Sequence, residues 1–232
     1  MRLQTFRQRL VPACAALGLI LAATASSQAT LAAPQAPRAQ LMAQATPATT
    51  GTPPTSAPRE RKPQTRASSA RIAVEPSKLS VDDGDTAVIH WGAADAETVR
   101  FLGIDTPETR HLQHDLPYAQ PFGPEARAFA QGAFATASKI ELIRSPGLDP
   151  YGRTLGYFFL NDKNYSVLVV AARLAEESVT RYGDNGLPAE AAAVQATAKA
   201  AGPLPFESPG DFRRRMREVS KWMKAKGVSE DE

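Results

Sequence analysis

Two short stretches concentrate side chains that can do chemistry: Asp83-Gly84-Asp85-Thr86, and Val99 to Glu108, which reads Val-Arg-Phe-Leu-Gly-Ile-Asp-Thr-Pro-Glu. They set Arg100 and several carboxylates at the ends of short apolar runs, where side chains of neighbouring strands converge, and that combination suits a hard cation and a phosphate. Asp85 and Asp105, at the ends of adjacent predicted strands, can share one Ca²⁺, which takes roughly six to eight oxygen ligands including carbonyls and waters. Taken alone, Asp83-Gly84 is among the commonest turn signals, and Asp105-Thr106-Pro107-Glu108 also reads as a strand end followed by a turn. Their combination favours ligation, although the spacing is not that of an EF-hand loop. A second arginine, Arg153, closes Asp149-Pro150-Tyr151-Gly152-Arg153 at the mouth of another predicted strand. A guanidinium donates two parallel hydrogen bonds and keeps its charge at any relevant pH, so Arg100 and Arg153 can grip one phosphodiester between them.

Positioning these groups requires a sheet. Runs rich in Val, Ile and Phe predict strands near Lys78 to Asp83, Asp85 to Trp91 and Glu97 to Ile104, a meander with its second turn at Gly92-Ala93-Ala94-Asp95. Pro124 opens a predicted helix from Glu125 to Ala137 whose apolar face is Ala126, Phe129, Ala130, Ala133 and Ala137. Strands follow at Lys139 to Arg144 and Arg153 to Leu160, then helices near Ser166 to Ala175, Pro188 to Ala201 and Pro209 to Ala225. The expected fold class is α+β: a five-stranded, partly open barrel of the oligonucleotide-binding type, with about three packed helices and a basic C-terminal helix.

The order of Asp83-Gly84-Asp85-Thr86, Val99 to Glu108, Gly123-Pro124-Glu125-Ala126 and Tyr151-Gly152-Arg153 resembles the staphylococcal nuclease, or thermonuclease, family over roughly Lys78 to Gly202. The resemblance implies Ca²⁺-dependent cleavage of DNA and RNA to products with 3′-phosphate ends. It also implies that Asp85 and Asp105 bind Ca²⁺ through carboxylates, Thr106 through its backbone carbonyl, and that Asp83 supports the site through water. Glu108 would orient or deprotonate the attacking water, while Arg100 and Arg153 would hold the phosphate and stabilise transition-state charge. Tyr151 and Tyr182 are the candidate substrate contacts; Tyr182 is the nearest counterpart of the tyrosines that flank the nucleotide in the family. The rival from another class is a non-catalytic nucleic-acid- or protein-binding module of the same fold. The loop from Arg110 to Phe122 departs from the Lys-rich loop of the best-known member, so no substrate contact carries over there.

The ends of the chain differ from its middle. Arg2, Arg7 and Arg9 precede an apolar stretch from Leu10 to Ala25 that Pro12 interrupts and that is shorter than a spanning helix needs, which predicts a secretory signal over residues 1–29. The implied destination is periplasmic or extracellular, with no stable membrane insertion after cleavage. The only cysteine, Cys14, leaves with that segment, so no disulfide is expected in the mature chain. The three leading arginines also account for the whole formal charge of +3, so overall basicity says nothing about a nucleic-acid partner. Residues 30–70 carry seven prolines among Ala, Thr, Gln and Ser, a composition of disordered tethers. Residues 71–226 are the expected nuclease-like domain, monomeric, and 227–232 an acidic tail.

Within that domain His111, His114 and Asp115 are too few for zinc and read as a polar loop. Phe212, Met216, Val219 and Met223 form a helical stripe expected to pack on the barrel, while Arg213, Arg214, Arg215, Arg217, Lys221, Lys224 and Lys226 crowd the remaining surface. That basic face reads either as a solvated helix or as a contact for a polyanion or an anionic membrane.

Overall fold

The computed structural model describes residues 62–228, all within the Pro54–Glu232 unit of the chain. The predicted signal, the greater part of the predicted tether and the last four residues of the tail lie outside the described residues. Among the described residues no helix is long and apolar enough to cross a membrane.

The strands are β1 (Arg71–Ala73), β2 (Leu79–Val81), β3 (Thr86–Gly92), β4 (Asp95–Phe101), β5 (Ile104–Asp105), β6 (Ile140–Leu148), β7 (Thr154–Leu160), β8 (Lys163–Asn164) and β9 (Glu176–Glu177). The helices are α1 (Gly123–Thr136), α2 (Tyr165–Ala171), α3 (Val179–Tyr182), α4 (Pro188–Ala201) and α5 (Pro209–Lys226). One curled sheet runs in the order β1-β6-β7-β4-β3-β2, with β8 added to β7. The expected α+β class with an oligonucleotide-binding barrel is what the chain adopts. The five expected strands are β2, β3, β4, β6 and β7; β1 and β8 extend them to a seven-stranded sheet, and β5 and β9 pair separately. These additional strands are two or three residues long, too short to carry a period in sequence.

Each main element has a local cause. Every residue of β7, Thr-Leu-Gly-Tyr-Phe-Phe-Leu, is buried, so its sequence is continuously apolar rather than alternating. Pro124 supplies a fixed φ where no intrahelical N–H partner is needed, and α1 begins there. The Asn164 side chain accepts from the Ser166 N–H at 2.9 Å and caps α2. Gly227, in the left-handed region, ends α5. The core holds an aromatic cluster in which Phe101 meets Phe158 at 5.0 Å and Tyr165 at 5.3 Å, while Phe134 meets Phe158 at 5.2 Å. Phe134, which the alternation of α1 left unassigned, is buried more deeply than the predicted Phe129.

The corner after β4 matters most for the site. Glu97 to Ile104 was expected as one strand, but β4 stops at Phe101 and the chain reverses through Leu102-Gly103. Gly103 takes φ +78°, which a side chain would disfavour, and a Cβ there would also stand 2.9 Å from the Tyr157 hydroxyl. The reversal is clamped on three sides: Leu102 N–H donates to the Gly156 carbonyl, Ser166 Oγ donates to the Leu102 carbonyl, and Ser178 N–H donates to the Gly103 carbonyl, all within 2.9 Å. Asp105 therefore projects from rigid backbone.

Residues 62–70, assigned by composition to the tether, lie along β6. Leu148 N–H donates to the Lys62 carbonyl, Gln64 N–H to Pro146, and Ser69 N–H to Arg144. Proline content misleads here because the segment gains its order from the edge of the sheet and not from apolar burial of its own.

Candidate active site

Asp85 is the residue that enters β3, and three contacts hold its backbone and carboxylate. Its N–H donates to Asp83 Oδ1 at 3.0 Å, its carbonyl accepts from Phe101 N–H at 2.8 Å, and its Oδ2 accepts from Thr106 N–H at 2.9 Å. Tyr165 ties the same loop to the aromatic core by donating its hydroxyl to the Gly84 carbonyl at 2.8 Å. Arg100 of β4 is the cross-strand partner of Thr86 of β3 and extends one guanidinium over two acids: Nη1 pairs with Asp85 Oδ1, and Nη2 with Asp105 Oδ1 at 2.8 Å. Asp85, Asp105 and Thr106 are each no more than 3 % exposed.

Glu108 follows Pro107 and is fixed through its main chain by a buried glutamine. Gln120 N–H donates to the Glu108 carbonyl at 2.8 Å, its Oε1 accepts from the Glu108 N–H at 3.2 Å, and its Nε2 donates to the Glu207 carbonyl at 2.7 Å. The start of α1 presses on the same backbone: a Cβ on Gly123 would lie 2.1 Å from the Glu108 carbonyl oxygen. Gly123→Ala is therefore expected to cost about 1–3 kcal/mol by overpacking. It should also shift the Glu108 and Gln120 amide resonances, and a urea midpoint and amide spectrum equal to wild type would refute this close approach.

A further arginine, unforeseen in the sequence, completes the cluster. Arg213 of α5 donates Nη2 to Asp105 Oδ2 at 2.7 Å and Nη1 to Asp105 Oδ1 at 3.1 Å, and pairs with Glu108 Oε1. Burial by itself would raise the Asp105 carboxyl, but the hydrogen bonds from Arg213 and the charge of Arg100 bring it below the ordinary aspartate value. Burial lifts Glu108 above the ordinary glutamate value despite Arg213, and Asp105 adds to that rise. Burial likewise raises Asp83, against the opposing charge of Arg100.

Not every candidate joins the cluster. Arg153 stands just before β7, two residues ahead of Leu155, the parallel register partner of Arg100; its Nε donates to Asp149 Oδ2 at 2.7 Å and its guanidinium lies 5.7 Å from the centre of the Tyr151 ring. Tyr151 is 86 % exposed. Tyr182 is half exposed and opens, with Glu176, Ser178, Thr180 and Arg181, onto a cleft of about 310 Å³ that also reaches Asp105. His111 and His114 stack on each other at 5.7 Å, and Asp115 pairs with Lys224 of α5.

Among the described residues no three carboxylate, imidazole or thiol side chains form a ready metal site. The donor set nevertheless fits a hard cation. One guanidinium already reaches Asp85 and Asp105 together, so both carboxylates open toward one small volume, and every candidate donor there is oxygen.

Residues 98–202 match the family described as staphylococcal nuclease homologue. That span is similar to the staphylococcal nuclease homologues. The chain is 38 % identical over 102 residues to the thermonuclease of Staphylococcus intermedius, covering 44 % of this chain and 55 % of that protein. It is 33 % identical over 104 residues to the thermonuclease of Staphylococcus hyicus, covering 44 % and 56 %, and 34 % identical over 110 residues to endonuclease YncB of Bacillus subtilis (strain 168), covering 44 % and 49 %. The matches thus span about half the length of these relatives.

The matched span contains Arg100, Asp105, Thr106, Glu108, Arg153 and Tyr182, whereas Asp83 and Asp85 precede it and Arg213 follows it. The structure unites the three regions through Arg100 and Arg213. In sequence Arg213 stands just after buried Phe212 at the edge of the α5 stripe, but Arg217 stands in the same relation to buried Met216, so the pattern does not single Arg213 out. Its neighbours face elsewhere. Arg214 pairs with Asp211, Arg215 with Glu207 and Lys221 with Glu218, so much of the basic face is neutralised in space by acids, two of which lie N-terminal to the basic run.

Proposed function

We propose that the chain is an exported, calcium-dependent nuclease that hydrolyses phosphodiester bonds of DNA and RNA, leaving 3′-phosphate and 5′-hydroxyl ends, and that it acts as a monomer. The observation that carries this reading is the bridge of one guanidinium, that of Arg100, across Asp85 and Asp105 beside Glu108, in a domain of the staphylococcal nuclease type. The names of the relatives, thermonuclease and endonuclease, agree with it. The export part of the reading rests on the signal-like pattern of residues 1–29.

Asp85 and Asp105 would hold Ca²⁺ through carboxylates and Thr106 through its carbonyl, with Asp83 supporting the site through a water. When bound, the ion polarises a phosphoryl oxygen and offsets charge that builds on phosphorus. Glu108, adjacent to Asp105 and lifted by burial, accepts the proton of the attacking water or orients that water as it adds to phosphorus, and the 5′-oxygen leaves and takes a proton from solvent. Arg100 exchanges a carboxylate contact for a phosphate oxygen, and Arg153 approaches the same phosphate from the mouth of β7. Tyr182 and Tyr151 offer ring faces to the substrate from the two flanks.

The test is incubation of the full chain with plasmid DNA and with RNA. Cleavage of both is expected with Ca²⁺, and poor cleavage with Mg²⁺, which demands tighter octahedral geometry. Excess chelator should abolish it, and undiminished cleavage under chelation would refute the metal assignment.

A further inference from the structure

Arg213 occupies a position that a divalent cation would need. Asp105 Oδ1 accepts from both Arg100 and Arg213, and Oδ2 accepts from Arg213, so of three guanidinium hydrogen bonds on this buried carboxylate two come from α5. The same guanidinium pairs with Glu108. We propose that Arg213 is a resident counter-cation of this site, and that its contact with Asp105 and the loading of a divalent cation onto Asp105 exclude each other. The inference rests on the calcium reading above and adds to it a regulation supplied by this chain's C-terminal helix, outside the matched family span.

Three physical points lead there. A hard cation seated between Asp85 and Asp105 requires at least one Asp105 oxygen, and Arg213 engages both of them whereas Arg100 engages only Oδ1. Asp105 already carries the guanidiniums of Arg100 and Arg213, and a divalent ion would add a third positive group to one buried carboxylate, where repulsion is strong because water is scarce. Finally, the guanidinium can leave without undocking its helix. α5 is seated by Phe212 and Met216 against Leu116, with Val219 beside them, and by Ser208 Oγ donating to Glu176 Oε2 at 2.9 Å. The Arg213 side chain itself is 25 % exposed, which leaves it a path to solvent. Its departure releases Glu108 at the same moment, so metal loading and freeing of the candidate base become one event. A polyanion drawing Arg213 outward would promote both.

The experiment is calorimetric titration of CaCl₂ into the full chain and into its Arg213→Gln, Arg213→Lys and Asp105→Asn variants. R213Q should bind Ca²⁺ about tenfold more tightly or better, because a competing cation has been removed, and R213K should fall between R213Q and wild type. D105N should lose the binding. In the unmodified protein the Arg213 Nη–H resonances, identified by their absence from the R213K spectrum, should be protected without Ca²⁺ and should shift and exchange rapidly once one equivalent is bound. This second readout decides the matter if R213Q does not fold. Equal or weaker Ca²⁺ affinity in folded R213Q, or an Arg213 resonance untouched at saturating Ca²⁺, overturns the competition while leaving the calcium reading intact. Binding unaffected by D105N overturns it too, since the ion then sits elsewhere. Absence of Ca²⁺ binding in every protein removes both the competition and the calcium reading.

Discussion

Glu108→Gln is expected to lower the rate of phosphodiester hydrolysis by about 10²–10⁴-fold while changing substrate affinity far less. The substitution keeps the size and shape of the side chain and removes its capacity to take a proton or hold a water by charge, together with its ion pair to Arg213. The fold has little reason to respond. Glu108 is positioned through its backbone, by Gln120 and by the close approach of Gly123, and neither contact involves the carboxylate. Arg213 also keeps both of its hydrogen bonds to Asp105 when Glu108 loses its charge. Single-turnover cleavage of a short oligonucleotide, with urea midpoints alongside, separates the chemical step from binding and from stability. A rate within threefold of wild type would show that Glu108 takes no part in proton transfer.

The residues that could be read from sequence are those whose chemistry is local. Asp83 to Thr86 and Arg100 to Glu108 sit on either side of one hairpin, so hydrophobic runs and turn residues were enough to place Asp85, Arg100 and Asp105 near one another. Arg213 could not be read in that way. It meets Glu108 across 105 positions, and nothing within either segment specifies which residue of the basic run points inward. One acid against α5 was hidden for the same reason: Asp115, which pairs with Lys224, lies in the loop before α1, far from it in sequence. The end of β4 was misjudged because Leu102-Gly103-Ile104 remains apolar through the reversal, and the turn depends on a left-handed glycine and on partners in α2 and after β9. Residues 62–70 were misjudged because composition measures what a segment can bury by itself, and this one borrows order from β6.

The second large effect concerns a buried pair with no part in the chemistry. Arg144 of β6 donates Nε and Nη2 to the two oxygens of Glu97 of β4, each at 2.7 Å, and both side chains are no more than 4 % exposed. Thr154 Oγ1 and Trp91 Nε1 also donate to that carboxylate at 2.7 Å. Burial alone would raise the Glu97 carboxyl, but the donors prevail and its value lies below that of an ordinary glutamate. Glu97→Ala leaves the Arg144 charge buried without its partner and should cost about 3–5 kcal/mol. At about 2–4 °C per kcal/mol for a domain of this size, the midpoint falls by roughly 6–20 °C. Glu97→Gln keeps one acceptor oxygen, which can serve the Trp91 N–H, while its amide N–H can donate to the Thr154 hydroxyl, and it should cost less. Replacing both members, Glu97→Leu with Arg144→Met, should recover much of the loss, because the penalty in the single variant is mainly an uncompensated charge. The sign of the pH dependence follows from the lowered folded value. The unfolded carboxyl binds its proton near pH 4.5, so the stabilisation from Glu97 is complete above that pH and declines as pH falls through the lower folded value. Wild type should therefore begin to lose stability toward E97Q as the pH falls below about 4.5, and the gap between the two curves should go on narrowing toward acid. A parallel offset down to pH 3, or an E97A cost under 1 kcal/mol, would mean that Arg144 finds other compensation and that the pair does not bind β4 to β6 across the sheet.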